Sequence, residues 1–247
     1  MTSPAVSRDD WLAARRLLLE REKALTQLKD EVARERRALP WLRITKEYTF
    51  DTPDGRRSLA DLFDGCSQLL VYHFMFDPSW TEGCKSCSFW ADNYANIGAH
   101  LAARDVTMVT VSRAPLATFA PFKRRMGWTF PWVSSFGSDF NRDFHVTFTD
   151  QERTGEVDYN FGRRRFGSPE APGASVFARD DAGAIYHTYS CYARGLDILN
   201  GAYQWLDLTP KGRDEDALPF TMAWLRHHDR YHTAAERPPK GAGASRR

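Results

Sequence analysis

An α/β fold with a central mixed sheet flanked by helices is predicted by three features of the sequence. The apolar run "SQLLVYHFMF", residues 67–76, reads as a strand covered on both faces. Cys84 and Cys87 follow it, then a helical stretch, "CSFWADNYANIGAHLAARD", and a second buried strand, "VTMVTVS", from Val106 to Ser112. Late in the chain, β-rich runs on either side of "DDAG" form a hairpin instead of another parallel crossover. Strand, cysteine pair, helix, strand, helix, hairpin is a thioredoxin-like order; a flavodoxin-like sheet would continue with crossovers.

The remaining elements fit around this frame. From Ser7 to Arg37 there is no Gly or Pro, Ser7 is an N-cap, and Trp11, Leu18, Leu25, Leu28 and Val32 recur at helical intervals. This predicts a long amphipathic arm, residues 1–40, whose stripe must bury against the body or a second copy. Residues 41–232 form the thioredoxin-like domain with its C-terminal extension. In it, "PLATFAPFKRRMG" begins with Pro and ends with Gly as a helix does, "TFPWVSSF" is a short strand, and "TMAWLRHHDRYH" is a closing helix. Residues 233–247 read as a frayed tail.

The chain of 247 residues is long enough for a core that needs no covalent staple, and 42% hydrophobic with 13% aromatic residues marks it as globular. A formal charge of +2 gives no case for a nucleic-acid partner. The arginines of the N-terminal segment and of Arg163–Arg165 read as solvated faces. Neither a secretory leader nor a membrane span is legible, so a cytoplasmic protein is expected, in a compartment that keeps thiols reduced.

That setting gives the cysteine pair its meaning. Cys84 falls at a helix N-terminus, where unpaired backbone N–H groups and the helix dipole favour thiolate over thiol, and Lys85 adds positive charge. Cys87, one turn on, is placed to attack a mixed disulfide formed at Cys84. A zinc site is disfavoured because no second close pair exists, and Cys66 and Cys191 read as packing residues. Trp80 is a candidate groove wall, whereas Phe89 and His73 read as core and Asp92 as surface. A copper site joining the pair to His187 would use suitable ligands and is a minority alternative.

The stretches "FMFDPSWTEGCKSCSFWAD", "VSRAPLATFAPFKRRMGWTFPWVSSFGSDFN" and "YARGLDILNGAYQWLDLTPKGRDED" resemble the bacterial thioredoxin-like family catalogued as domain of unknown function 899. The resemblance implies a dithiol-disulfide oxidoreductase. In the wider superfamily, Pro78, Thr81 and Cys84 approach a peroxiredoxin's order of Pro, Thr and attacking Cys, one residue short. The Arg that a peroxiredoxin carries three residues before its hairpin Phe is here Ala174, counted from Phe177, leaving Arg113 or Arg179 to substitute. Pro172 occupies a place where thioredoxins carry a cis-proline.

The expectation is therefore a thiol-disulfide oxidoreductase, with Cys84 attacking, Cys87 resolving, and Trp80, Thr81, Lys85 and Pro172 in support. No cofactor or metal is required. Its partners would be a protein or small-molecule disulfide and a cellular reductant, with neither nucleic acid nor membrane, and a homodimer through the N-terminal helix is open. A thiol peroxidase and a non-enzymatic copper- or partner-binding protein are the alternatives.

Overall fold

The computed structural model describes residues 4–231, and the expected tail at 233–247 lies outside them. The chain forms two units, residues 1–42 and 43–247. The first is nearly all α1 (Arg8–Arg37). The Ser7 hydroxyl accepts the Asp10 N–H at 3.1 Å, and acidic Asp9 and Asp10 begin a helix that ends in Arg34, Arg36 and Arg37, all complementing the dipole. None of its side chains is buried, and Trp11, Leu18, Leu25, Leu28 and Val32 stay 40–56% exposed.

In the second unit the strands are β1 (Leu42–Ile44), β2 (Thr49–Thr52), β3 (Gly55–Ser58), β4 (Gln68–His73), β5 (Val106–Ser112) and β6 (Trp132–Ser134), then β7 (Val157–Tyr159), β8 (Gly162–Arg164), β9 (Gly173–Arg179) and β10 (Ile185–Tyr192). Eight of them make one sheet in the order β1-β10-β9-β4-β5-β6-β2-β3, with β7 and β8 a separate hairpin. β4 pairs parallel with β5 from Gln68↔Val106 to His73↔Val111, and antiparallel with β9. The connection from β4 to β5 carries α2 (Lys85–Tyr94) and α3 (Gly98–Ala102); that from β5 to β6 carries α4 (Leu116–Arg125). The short α5 (Phe140–Asp143) and α6 (Gly201–Leu206) complete the α-helices of the described residues. This is the thioredoxin-like α/β architecture expected from the sequence, and its hairpin turns at Gly183, where φ is +85°.

Strand alternation divides the core. Leu69 and Val71 of β4 and Val109 and Val111 of β5 face a cluster with Phe50, Phe63, Phe140 and Phe177. Tyr72 faces the other way, into an aromatic cluster of Phe74, Trp90, Phe119, Phe122 and Trp132 that also holds Cys87. The cysteine pair thus sits at the carboxyl end of the central parallel strand, where open α/β sheets present their ligand sites.

Two expectations need correction, and one question the sequence left open, the isomer at Pro172, is answered. The helix expected over 87–105 breaks into α2 and α3, because Asn93 turns its side chain to the Phe89 carbonyl and the Ala202 N–H, and Gly98 is a poor helix former. Over 221–231 the closing helix expected at 221–232 is instead an irregular strap with one short turn, His228–Arg230, and His232 lies outside the described residues. Tertiary partners capture its groups: Leu225 is fully buried, Trp224 donates to Glu215, and Met222 takes a φ of +67°. The Ala171–Pro172 peptide is trans. The hairpins β2–β3 and β7–β8 were not read from the sequence, although "TPDG" and "NFG" are turn signals.

Candidate active site

A loop from Phe74 to Cys84 carries the pair, and backbone and ion-pair contacts fasten it at both ends. Ala114 N–H donates to the Phe76 carbonyl at 2.8 Å, and Cys84 N–H to the Met75 carbonyl at 3.1 Å. Asp77 turns the chain by accepting the Ser79 N–H and hydroxyl, while Arg113 bridges Asp77 to Glu170. Glu170 is buried and also accepts the Thr147 hydroxyl; burial pushes its carboxyl up to about 7.

At the other end, the Gly83 carbonyl accepts from His227 Nε2 at 2.9 Å. Arg125 donates to His227 Nδ1 at 2.9 Å, and a guanidinium cannot accept, so His227 is the neutral Nε2–H tautomer. Glu82 pairs with Arg230, at 2.9 Å, and with Arg125, and both pairings hold its carboxyl below the usual range. A Cβ at Gly83 would stand 2.7 Å from the Phe74 ring and 2.8 Å from the Phe122 ring. Gly83→Ala is therefore expected to cost about 1–3 kcal/mol in urea denaturation and to displace the loop, which slowed alkylation of Cys84 will report.

Cys84 is the N-cap of α2, with extended backbone (φ −54°, ψ 127°), and its carbonyl accepts the Ser88 N–H at 2.9 Å. The Cys87 thiol, the backbone N–H groups of Cys87 and Ser86 and the Ser86 hydroxyl all favour its ionised form. Those donors outweigh the cost of burial, and the Cys87 thiol, the largest contributor, brings Cys84 down to about 7. Cys87 is 1% exposed, and burial pushes it well above the ordinary thiol value. Even so, the Met75 N–H, at 3.4 Å, and the Tyr72 hydroxyl both donate to its sulfur. One sulfur is thus poised to ionise while its neighbour keeps the proton. None of the four cysteines is in a disulfide.

Of the expected supporting residues, Trp80 is half-buried against the aromatic cluster and Thr81 is exposed. Lys85 is half-buried at the first position of α2. Pro172 lies near the pair, in the wall of a cavity of about 240 Å³ that Cys87 also lines. Asp92 is exposed, as expected, and accepts Trp128 Nε1 at 2.8 Å and faces His228 Nδ1 at 2.7 Å. Neither candidate arginine serves the thiolate. Arg113 is held by its two carboxylates, and Arg179 donates to the Cys66 carbonyl and lies over Phe63, at the far end of β4.

His187 bonds to Ser190 and the Tyr189 carbonyl and packs on Phe144 and Phe177, in the cluster opposite Cys87, which removes the copper arrangement. His73 is the core histidine expected, bonded to Ser175, with its pKa pushed down to about 3 by burial. Among the described residues, no group of three His, Cys, Asp or Glu is placed to hold a metal ion. No helix among them is long and apolar enough to cross a membrane.

The distinctive 192–216 segment has a structural task. Trp90 Nε1 donates to the Leu196 carbonyl, Tyr203 packs edge-on against Phe89 and Trp90, and Arg213 lies 3.9 Å over the Tyr203 ring. It covers the outer face of α2. Sequence reasoning missed Tyr72, Gly83 and His227. Gly83 alone carried a signal, as a glycine directly before the first cysteine.

A search of the curated proteins finds no match. Among solved structures, Xanthomonas campestris peroxiredoxin Q is similar at 14% identity and a TM-score of 0.40, covering 62% of this chain and 88% of that one. The peroxidoxin BcpB of Mycobacterium tuberculosis gives 12% and 0.38, covering 68% and 96%; a yeast mitochondrial 1-Cys peroxiredoxin gives 16% and 0.40, covering 68% and 78%. No residue role is carried over from them. The long helix, the fastened dithiol loop and the covering segment lie within residues 1–231, which match the model described as bacterial protein of unknown function (DUF899), and the chain belongs to that family.

Proposed function

We propose that the protein is a thiol-disulfide oxidoreductase in which Cys84 attacks and Cys87 resolves. The observation that carries this reading is the placement of Cys84 as the N-cap of α2 with the buried Cys87 one turn on; that setting favours the thiolate at Cys84 and the thiol at Cys87. The Cys84 thiolate attacks one sulfur of the substrate disulfide, forming a mixed disulfide and expelling the other sulfur as a thiolate, which takes a proton from solvent. Cys87 then gives up its proton and attacks Cys84 Sγ. The Cys84–Cys87 bond forms and the second substrate thiol leaves with that proton. The Tyr72 hydroxyl and Met75 N–H lessen the cost of the buried Cys87 thiolate, both as it attacks and as it departs when a reductant reopens the disulfide.

Alkylation of the reduced protein is the direct test. Cys84 should react first, with a midpoint near pH 7, rising as pH rises because only the deprotonated form reacts. Faster labelling of Cys66 or Cys191 would contradict the assignment. A thiol peroxidase would use the same thiolate, so an insulin-type disulfide assay should be run beside a stopped-flow peroxide assay. Rapid sulfenate formation with slow disulfide reduction would favour the peroxidase.

A further inference from the structure

The cavity beside the dithiol is mostly apolar, and the two charged residues on its wall, Arg194 and Asp197, pair with each other at 3.0 Å. Tyr72, Cys87, Trp90, Pro172, Leu196 and Met222 line most of it, and four of these six side chains are at most 5% exposed. The polar groups of those buried walls are already engaged: Trp90 Nε1 with the Leu196 carbonyl, Tyr72 with Cys87. Water entering it would find few partners, so an apolar occupant is favoured. At about 240 Å³ it exceeds the roughly 150 Å³ of an engineered apolar cavity known to take benzene, yet falls short of a typical whole-ligand pocket. Its size suits one ring or one short alkyl chain.

Position ties the cavity to the chemistry. Ser86 and Cys87 both line it, and both lie on the first turn of α2, directly after Cys84. Two elements from the covering segment and the strap, Ala193–Asp197 and Met222, close its outer side, so the family's distinctive C-terminal part forms half of the enclosure.

We infer that this cavity is the substrate site, and that the substrate is a disulfide carrying an apolar group beside its sulfur, held by the cavity while Cys84 and Cys87 act on the S–S bond. The inference rests on the oxidoreductase reading and adds the substrate class. The exchange is the one already balanced above: two protein thiols become a disulfide, and the substrate disulfide becomes two thiols, one of them bearing the apolar group.

The test is a series of mixed disulfides, R–S–S–pyridyl, with R running from methyl to hexyl, timed by pyridinethione release from the reduced full-length protein. Each rate is divided by that of glutathione with the same compound. The expected result is a ratio that climbs about fourfold per added methylene until the cavity fills. A carboxyethyl R group should lose the gain. Met222→Trp, which fills part of the cavity, should flatten the climb. Hexanol, which needs no substitution in the protein, should compete with the hexyl compound and spare the methyl one.

A parallel arm uses short peptides whose mixed disulfide is flanked by Phe or by Ser. A Phe advantage there as well would assign the apolar group to a protein substrate; a gain in the alkyl arm alone would confine it to small disulfides. Ratios that stay flat, with the methyl compound still outpacing glutathione, would overturn the cavity proposal and leave the dithiol reading standing. If no compound reacts faster than with glutathione, both fall.

Discussion

With alanine at position 87, the protein is expected to react once and stop. Cys84 will still attack a disulfide, but nothing remains to displace the substrate, so the mixed disulfide accumulates to one equivalent, as intact-mass measurement will show. Turnover should fall to that of Cys84→Ser, which forms no adduct at all and runs at the uncatalysed rate. A second effect separates this account from a merely mechanical one. The Cys87 thiol is the largest influence favouring the Cys84 thiolate, and a hydrogen bond to a charged group is worth about 1.5–3 kcal/mol. The midpoint of Cys84 alkylation should therefore move up from about 7 by about one pH unit or more in Cys87→Ala. Desolvation alone acts the other way: a smaller side chain that admits water would lower the midpoint. An unmoved or lowered midpoint would mean that the donors of Ser86 and the α2 backbone suffice, and that Cys87 does not set the ionisation.

Much of this site was legible in the sequence because it depends on local order. A buried strand, a cysteine at the next helix start and a second one turn later are all fixed within twenty residues, and α1 and the strands β4 and β5 follow from the same kind of short-range pattern. Tyr72 was not legible. In a run such as "LLVYHF" alternation says only which face a ring takes, and the use of its hydroxyl depends on where Cys87 arrives from a separate element. The strap was misread for a related reason. "TMAWLRHHDRYH" has helical spacing, but its histidines and Trp224 find partners on Gly83, Asp92 and Glu215, the first two well over a hundred residues away, and those contacts outweigh a weak local propensity.

Glu215→Ala should be strongly destabilising. One oxygen, Oε1, accepts the Tyr203 hydroxyl at 2.9 Å, the Met222 N–H at 3.0 Å and Trp224 Nε1 at 2.6 Å. The side chain thereby ties α6 to the strap, and no other described group is available to take three donors at once. Removing it leaves those donors unpaired in a half-buried setting, at a cost of about 3 kcal/mol or more in urea denaturation. Glu215→Gln keeps an oxygen acceptor and loses only the charge assistance, so about 1 kcal/mol is expected. The two variants should also differ at the dithiol. Met222 forms part of the cavity wall beside Cys87, so releasing it exposes a thiol that is 1% accessible in the intact protein. Glu215→Ala should therefore bring Cys87 into reach of iodoacetamide, whereas Glu215→Gln should not. If Cys87 stays protected in the alanine variant, Leu225 and the His227 bond to Gly83 hold the strap without help, and the enclosure of the dithiol does not depend on Glu215.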